Sequence, residues 1–203
     1  TVTGKGAHAA QPHLGIDPVP LACSMVLQCQ TIAARHKDPV DPAVISVCMI
    51  HAGTTDNVIP DSVELRGTIR TLSSALQQKL QTDVQLTCEG LARAYGAQVD
   101  VEFFQYYPAT VNTPAETALC EAVIGDTFGG ERLYRDVPPN MTSEDFGFML
   151  EERPGAYVLI GNAPEGAAAP SLHHPKYDFN DEIIPAGVRY WVALAQHYYR
   201  RSS

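Results

Sequence analysis

Two adjacent histidines, His173 and His174, sit in the stretch SLHHPKYDFND at residues 171–181, followed by a proline, an aromatic ring and two acids. Imidazole is the commonest metal ligand and the side chain that exchanges protons most readily near neutral pH. Adjacent side chains on extended backbone point to opposite faces, so extended backbone here lets only one of the two look into a given pocket. His173 has the better position, because it follows the apolar Leu172 soon after an apolar run that reads as a buried strand, and such places hold ligands in α/β sheets. Asp178 and Asp181 can accept from an imidazole N–H, or can do no more than start the last helix. No cysteine, further histidine or carboxylate lies at zinc-ligand spacing around His173. A single imidazole does not hold a catalytic metal, so the other ligands come from elsewhere or there is no metal.

Arg70 is the second notable group. It lies near the end of a predicted strand, where a planar guanidinium suits bidentate capture of a carboxylate. Its plain alternative is a solvated arginine paired with Glu64 or Glu102. His8 and His13 lie in glycine- and proline-flanked loops, where sites on rigid scaffolds concentrate, although a lone loop histidine is more often solvated. His36 and His197 read as surface residues, and His51 as a strand residue before a turn. Asn57, in GTTDNVIP, can be a turn former and nothing else.

The elements that must position these groups can be read from periodicity. Asp17-Pro18 opens a helix whose apolar face is Leu21, Met25, Val26, Cys29, Ile32 and Ala33. Residues 43–53 and 58–72 read as strands, the second alternating Val63, Leu65, Gly67 and Ile69 against Glu64, Arg66, Thr68 and Arg70. A second helix starts at Ser73 or Ser74, places Leu76, Leu80, Val84, Leu91 and Ala94 on one face, and ends at Gly96. Residues 97–110 read as a strand. With the stub at 1–3 the order is β-α-β-β-α-β, an α+β ferredoxin-like pattern with two helices on one face of four antiparallel strands. Beyond it come a helix at 114–125, a short helix capped by Ser143, a fully apolar strand at 156–162 and a last helix ending in Arg200 and Arg201. One strand cannot make a sheet that buries both faces, so this region needs further strands from outside itself.

Composition narrows the function classes. The chain has 203 residues, 45% of them hydrophobic, and a net charge of −9 from 23 acids and 14 bases. This acidic balance with no basic run argues against nucleic acid and anionic membranes as partners, and no apolar stretch reaches the length of a membrane span. Five scattered cysteines without CxxC spacing, four of them in apolar-periodic stretches, favour buried free thiols and a reducing cytoplasm over secretion.

Five stretches then fall in a telling order: GKGAHAAQPHLGIDPV, HAGTTDNVIPDSVELRGTIRTL, MTSEDFGFML, PGAYVLIGN and LHHPKYDFNDEIIPAGVRYWVALA. Together they resemble the M20 metallopeptidase family, closest to its amidohydrolase branch of hippurate hydrolases and N-acyl-amino-acid hydrolases. The resemblance covers essentially the whole chain. It implies a ferredoxin-like lid that also dimerises at residues 1–112, and at 113–203 the carboxyl-terminal part of an α/β zinc-peptidase-like catalytic domain. It further implies that His173 is a ligand of a centre of two divalent metals, zinc or manganese. By the same resemblance His8 is the lid histidine that polarises the scissile carbonyl across a homodimer. Asn57 lies beside the same oxygen, Arg70 holds the substrate's carboxylate, and Gly161 is a close backbone approach to the substrate. Glu144 and Asp145 match an acidic motif near the site in a supporting role. The remaining ligands (a cysteine, two histidines and a glutamate) and the general-base glutamate precede this stretch in the family. Residues 1–203 are therefore expected to bind no metal and to be inactive alone, while the whole protein is expected to hydrolyse small N-acyl amino acids. The alternative is a dimerisation or interaction module without chemistry.

Overall fold

The computed structural model describes residues 1–142, 144–163, 170 and 172–201. It is a mixed α/β structure with small antiparallel sheets, divided into two compact units: Thr1–Ala109 with Met141–Glu144, and Thr110–Asn140 with Asp145–Ser203. Among the described residues no helix is long and apolar enough to cross a membrane.

The first unit is built on a four-stranded sheet. Its strands are β1 (Val2–Thr3), β3 (Ala43–Ala52), β5 (Ser62–Thr71) and β6 (Gln98–Val99), in spatial order β3-β5-β1-β6. A separate pair joins β2 (Ala7–His8) to β4 (Val58–Ile59). Helices α1 (Pro18–Arg35) and α2 (Ser74–Tyr95) supply the apolar cover. Leu21, Ala22 and Met25 of α1 meet Val2, Val63, Cys88 and Ala92 in one core cluster. Cys29 and Ile32 meet Ile45, Leu76 and Leu80 in another. Fully buried side chains of the size of Leu21, Met25 and Leu80 each contribute roughly 1.5–3 kcal/mol. The face of α2 runs through Cys88 and Ala92 rather than the expected Ala94, which is exposed.

The ends of both helices are chemically specified. Asp17 accepts from the Val19 amide at 2.9 Å, with Pro18 in the first turn. Ser73 accepts from the Leu76 amide at 3.3 Å. Gly96 ends α2 at φ 69°, a left-handed conformation that glycine adopts without strain.

The strand predicted at 58–72 is broken at Pro60 into β4 and β5. Along β5 the expected alternation holds, with Val63 buried and Arg66, Thr68 and Arg70 exposed. The β3–β5 register shifts around Cys48, Val47 facing Gly67 and Met49 facing Arg66. At this bulge Gly67 is required, since a Cβ there would stand 2.3 Å from the Ser46 carbonyl oxygen. The strand predicted over 97–110 shrinks to Gln98–Val99. Its ladder partner β1 supplies only Val2 and Thr3, and pairing ends where Thr1 and Asp100 exchange backbone hydrogen bonds.

The second unit packs α3 (Pro114–Phe128) against α5 (Ile184–Arg201), with the short helix α4 (Phe146–Glu152) between them in sequence. Cys120 and Val123 of α3 and Tyr190 of α5 are its buried centre. Burial and a hydrogen bond with Cys120 push the Tyr190 phenol well above its usual range. Arg189 donates to the Thr127 carbonyl at 3.1 Å, at the carbonyl-rich end of α3, and lies 5.0 Å over the Phe128 ring. Helix α4 starts after Asp145, whose side chain makes no capping bond; the expected cap Ser143 lies outside the described residues.

Residues 156–162, predicted as a strand, form none. Their backbone instead bonds to the segment before α3. Thr113 N–H donates to the Gly155 carbonyl at 2.9 Å, and the Asn112 side chain bonds both backbone groups of Tyr157. Ala156 and Val158 pack on the α3/α5 core, while Leu159 is 73% exposed. The apolar composition is that of a strand covered on both faces; only one face is covered here. Helix α5 shows the same imbalance. Tyr190 is buried, yet Ile184, Val188, Trp191, Val192 and Tyr198 are exposed, Trp191 at 67%.

The prediction of buried thiols holds for Cys29, Cys88 and Cys120 but fails for Cys23 and Cys48, which are exposed. Cys23 falls outside the core-facing stripe of α1, and Cys48 is the residue skipped by the β3–β5 register.

Candidate active-site residues

His8 and Asn57 come together through the β2–β4 pair. His8 faces Val58 in the ladder, and the Ala9 amide donates to the Asn57 carbonyl at 3.1 Å. Both side chains are exposed, and both are oriented locally. The Ala10 amide donates to His8 Nδ1 at 3.0 Å, so the neutral ring carries its proton on Nε2 and offers that N–H outward. Thr55 donates its hydroxyl to Asn57 Oδ1 at 3.0 Å. The depression beside this pair, about 590 Å3, is lined by Gly6, Thr54, Thr55 and Asp61 among others, not by His8 or Asn57.

Arg70 stands on the exposed face of β5, opposite Val44. Its Nη1 donates to the Met141 carbonyl at 3.1 Å. The pairing with Glu64 considered from sequence belongs instead to Arg66, 2.6 Å away, which holds the Glu64 carboxyl below its usual range. His51 faces Glu64 across the ladder and is exposed.

His173 lies in a turn, and here the structure corrects the extended geometry assumed from sequence. Its φ is 69°, left-handed for a non-glycine residue, a conformation that costs about 1–2 kcal/mol. The ring is exposed and not packed into a core. His174 is spent locally: its Nδ1 accepts from the Lys176 amide at 3.1 Å and its carbonyl accepts from Tyr177 N–H at 2.9 Å. Asn162 donates to the Tyr177 hydroxyl at 2.5 Å, which ties the chain beside Gly161 to the loop of His173. Gly161 is exposed, and a Cβ there would meet nothing within 4 Å. The cap at the start of the last helical segment is Asn180, whose side chain accepts from the Glu182 amide at 3.1 Å, not Asp181.

Thr55, Asn162 and Tyr177 were not picked out by sequence reasoning. The hydroxyl two residues before Asn57 was a visible signal; the Asn162–Tyr177 bond spans a loop and had none.

Comparison with known proteins decides the family. A family description, Peptidase family M20/M25/M40, matches residues 5–197. The chain belongs to the M20 peptidase family. It is 38% identical over 192 residues to N-acetyldiaminopimelate deacetylase of Geobacillus sp. (strain WCH70), covering 94% of this chain and 49% of that one. It is 32% identical to the IAA-amino acid hydrolase ILR1-like 2 of Arabidopsis thaliana, covering 100% of this chain and 46% of that protein. Among solved structures, a dinuclear metal binding peptidase of the M20 family from Bacillus subtilis superposes with a TM-score of 0.73 at 27% identity, covering 96% of this chain and 47% of that one. The chain thus spans about half the length of the M20 relatives it matches.

The Bacillus subtilis M20 peptidase is a dinuclear metal binding protein. Among the described residues no group of three or more His, Cys, Asp or Glu could hold a metal ion without ligands from elsewhere. His173 therefore makes no centre by itself.

Proposed function

We propose that these residues are the substrate-contact part of an amide hydrolase acting on small N-acyl amino acids. Residues 1–112 are assigned as a ferredoxin-like lid and dimerisation domain, and residues 113–203 as the closing portion of an α/β catalytic domain. The order β3-β5-β1-β6, with α1 and α2 on the face that carries Val2, Val63 and Ile45, supports the first assignment. The bare apolar surfaces at Leu159 and along α5 support the second, because a larger sheet and further helices would cover them. The long edge strand β3 supports self-pairing of the lid into a homodimer.

The feature on which the substrate class rests is the exposed guanidinium of Arg70 on β5, whose Nη1 also donates to the Met141 carbonyl. An arginine there captures a carboxylate bidentately. N-acetyldiaminopimelate and IAA-amino acids, the substrates named for two of the relatives, share an acylated amine beside a carboxylate. In this reading Arg70 fixes the carboxylate and Gly161 allows close backbone approach. His8 and Asn57 present N–H donors to the amide oxygen of a substrate in the partner's site, where negative charge develops in the transition state. His173 contributes one imidazole to a centre of zinc or manganese, with its other ligands outside these residues.

Kinetics of the longer protein test the assignment of Arg70. Arg70→Lys, which keeps the charge and loses the fork, raises KM on the order of tenfold or more with a smaller change in kcat. Equal kcat/KM for an N-acyl amino acid and its carboxamide analogue would remove the basis of the reading.

A further inference from the structure

The two stretches of chain that pair as β1 and β5 pair again as β2 and β4, but not as one continuous ladder. Thr3 faces Ser62, and Ala7 faces Ile59. Between these pairs three residues, Gly4 to Gly6, stand against two, Pro60 and Asp61. One extra residue on one strand is the count of a bulge, which interrupts a ladder, bends it and re-aims the side chains beyond it. Pro60 has no N–H with which to continue the pairing. On one side of the bend lies the sheet that carries Arg70; on the other lies the arm that carries His8, with Asn57 bonded to it.

The amides of the bend each have a partner. Gly4 N–H donates to the Asp61 carbonyl at 2.8 Å, and Lys5 exchanges backbone bonds with Ile16 in both directions. Gly6, the last residue before the arm, donates to Asp61 Oδ1 at 2.8 Å. A backbone N–H only donates and an ionised carboxylate only accepts, so the sense of this bond is fixed. Asp61 therefore holds the facing strand twice, by its carbonyl and by its side chain. The fit is close: a Cβ at Gly6 would stand 2.9 Å from Asp61 Oδ1 and 2.9 Å from the Ile59 carbonyl oxygen.

We propose that Asp61 is a positioning residue for His8 and Asn57: its carboxylate takes the Gly6 amide and so sets the angle at which the β2–β4 pair leaves the four-stranded sheet. The proposal rests on the reading of His8 and Asn57 as substrate contacts. It assigns to Asp61 no contact of its own with substrate. The requirement is for an acceptor rather than a charge, which asparagine meets and alanine does not.

Two measurements separate the proposal from the reading it rests on. In residues 1–203, the backbone amides of His8 and Asn57 are followed by 1H–15N NMR in wild type, Asp61→Asn, Asp61→Ala and Gly6→Ala. The expected result is displaced resonances in Asp61→Ala and Gly6→Ala and near-native ones in Asp61→Asn. Unchanged resonances in Asp61→Ala overturn the proposal whatever the activity; if that variant does not fold, unchanged resonances in Gly6→Ala overturn it instead. In the longer protein, Asp61→Ala is expected to lower kcat roughly tenfold with little change in KM, and Asp61→Asn to stay within about threefold of wild type. An equal loss in Asp61→Asn and Asp61→Ala overturns the proposal, because charge and not the acceptor would then matter. If His8→Ala impairs turnover and Asp61→Ala does not, the positioning role is wrong. If His8→Ala leaves turnover intact, the substrate-contact reading of His8 is what fails, and the resonances alone decide whether Asp61 sets the arm.

Discussion

The side-chain amide of Asn112 clasps the backbone of Tyr157, donating to its carbonyl at 3.0 Å and accepting from its N–H at 2.8 Å. A side chain thus does for residues 155–158 what a neighbouring strand does in a sheet. Asn112→Ala is expected to destabilise the second unit by about 1–2 kcal/mol, the range for losing two partly exposed hydrogen bonds. Urea unfolding of residues 1–203, followed by the fluorescence of Trp191, reads this directly. An unchanged midpoint would show that the Thr113–Gly155 bonds alone hold the segment.

Thiol chemistry should separate the cysteines into two classes. Burial, reinforced by the nearby Cys29, pushes the Cys88 thiol up to about 11. At pH 8 its thiolate population is on the order of a hundredfold below that of an unshifted thiol, before access is counted. Cys23 and Cys48 are exposed. Maleimide labelling read by mass spectrometry should modify these two first and Cys88 only in denaturant. Labelling of native Cys88 at the rate of Cys23 would contradict the packing of α2 against α1.

Acid stability should depend on Asp83. Burial works against its charge, but hydrogen bonds from Lys79 at 2.6 Å and His36 at 3.2 Å outweigh that and hold the carboxyl below its ordinary range. A depressed folded pKa means that the stabilisation is complete above the unfolded value, about 3.9, and is lost as pH falls through the folded one. Asp83→Asn should therefore show a shallower loss of stability than wild type below about pH 4, measured by denaturant midpoints across the acid range. Parallel acid limbs would remove Asp83 from the account.

Much of the first unit was legible in the sequence because its signals are local. Asp17, Ser73 and Gly96 act through atoms within a few residues, and the alternation of β5 follows from one covered face. The strands at 97–110 and 156–162 were overread for a common reason. Residue pattern reports what a segment would pair with, and pairing needs a neighbour that the described residues supply only in part. The site divides the same way. His8, Asn57 and Arg70 could be singled out by type and motif, but the bonds that orient them, from Ala10, Thr55 and toward Met141, depend on turn geometry that no periodicity encodes. His173 was legible as a residue and misread in conformation, since a left-handed histidine leaves no mark in composition.

His173 is proposed as one ligand of a metal centre whose other ligands lie outside residues 1–203. This proposal is tested most directly by the rate of amino acid release from an N-acyl amino acid, with zinc or manganese supplied. Three proteins are compared: the longer protein, its His173→Ala variant, and residues 1–203 alone. The account predicts turnover by the longer wild-type protein, a loss of at least about a hundredfold in His173→Ala, and none from residues 1–203. Comparable turnover by residues 1–203, or by His173→Ala, would contradict it.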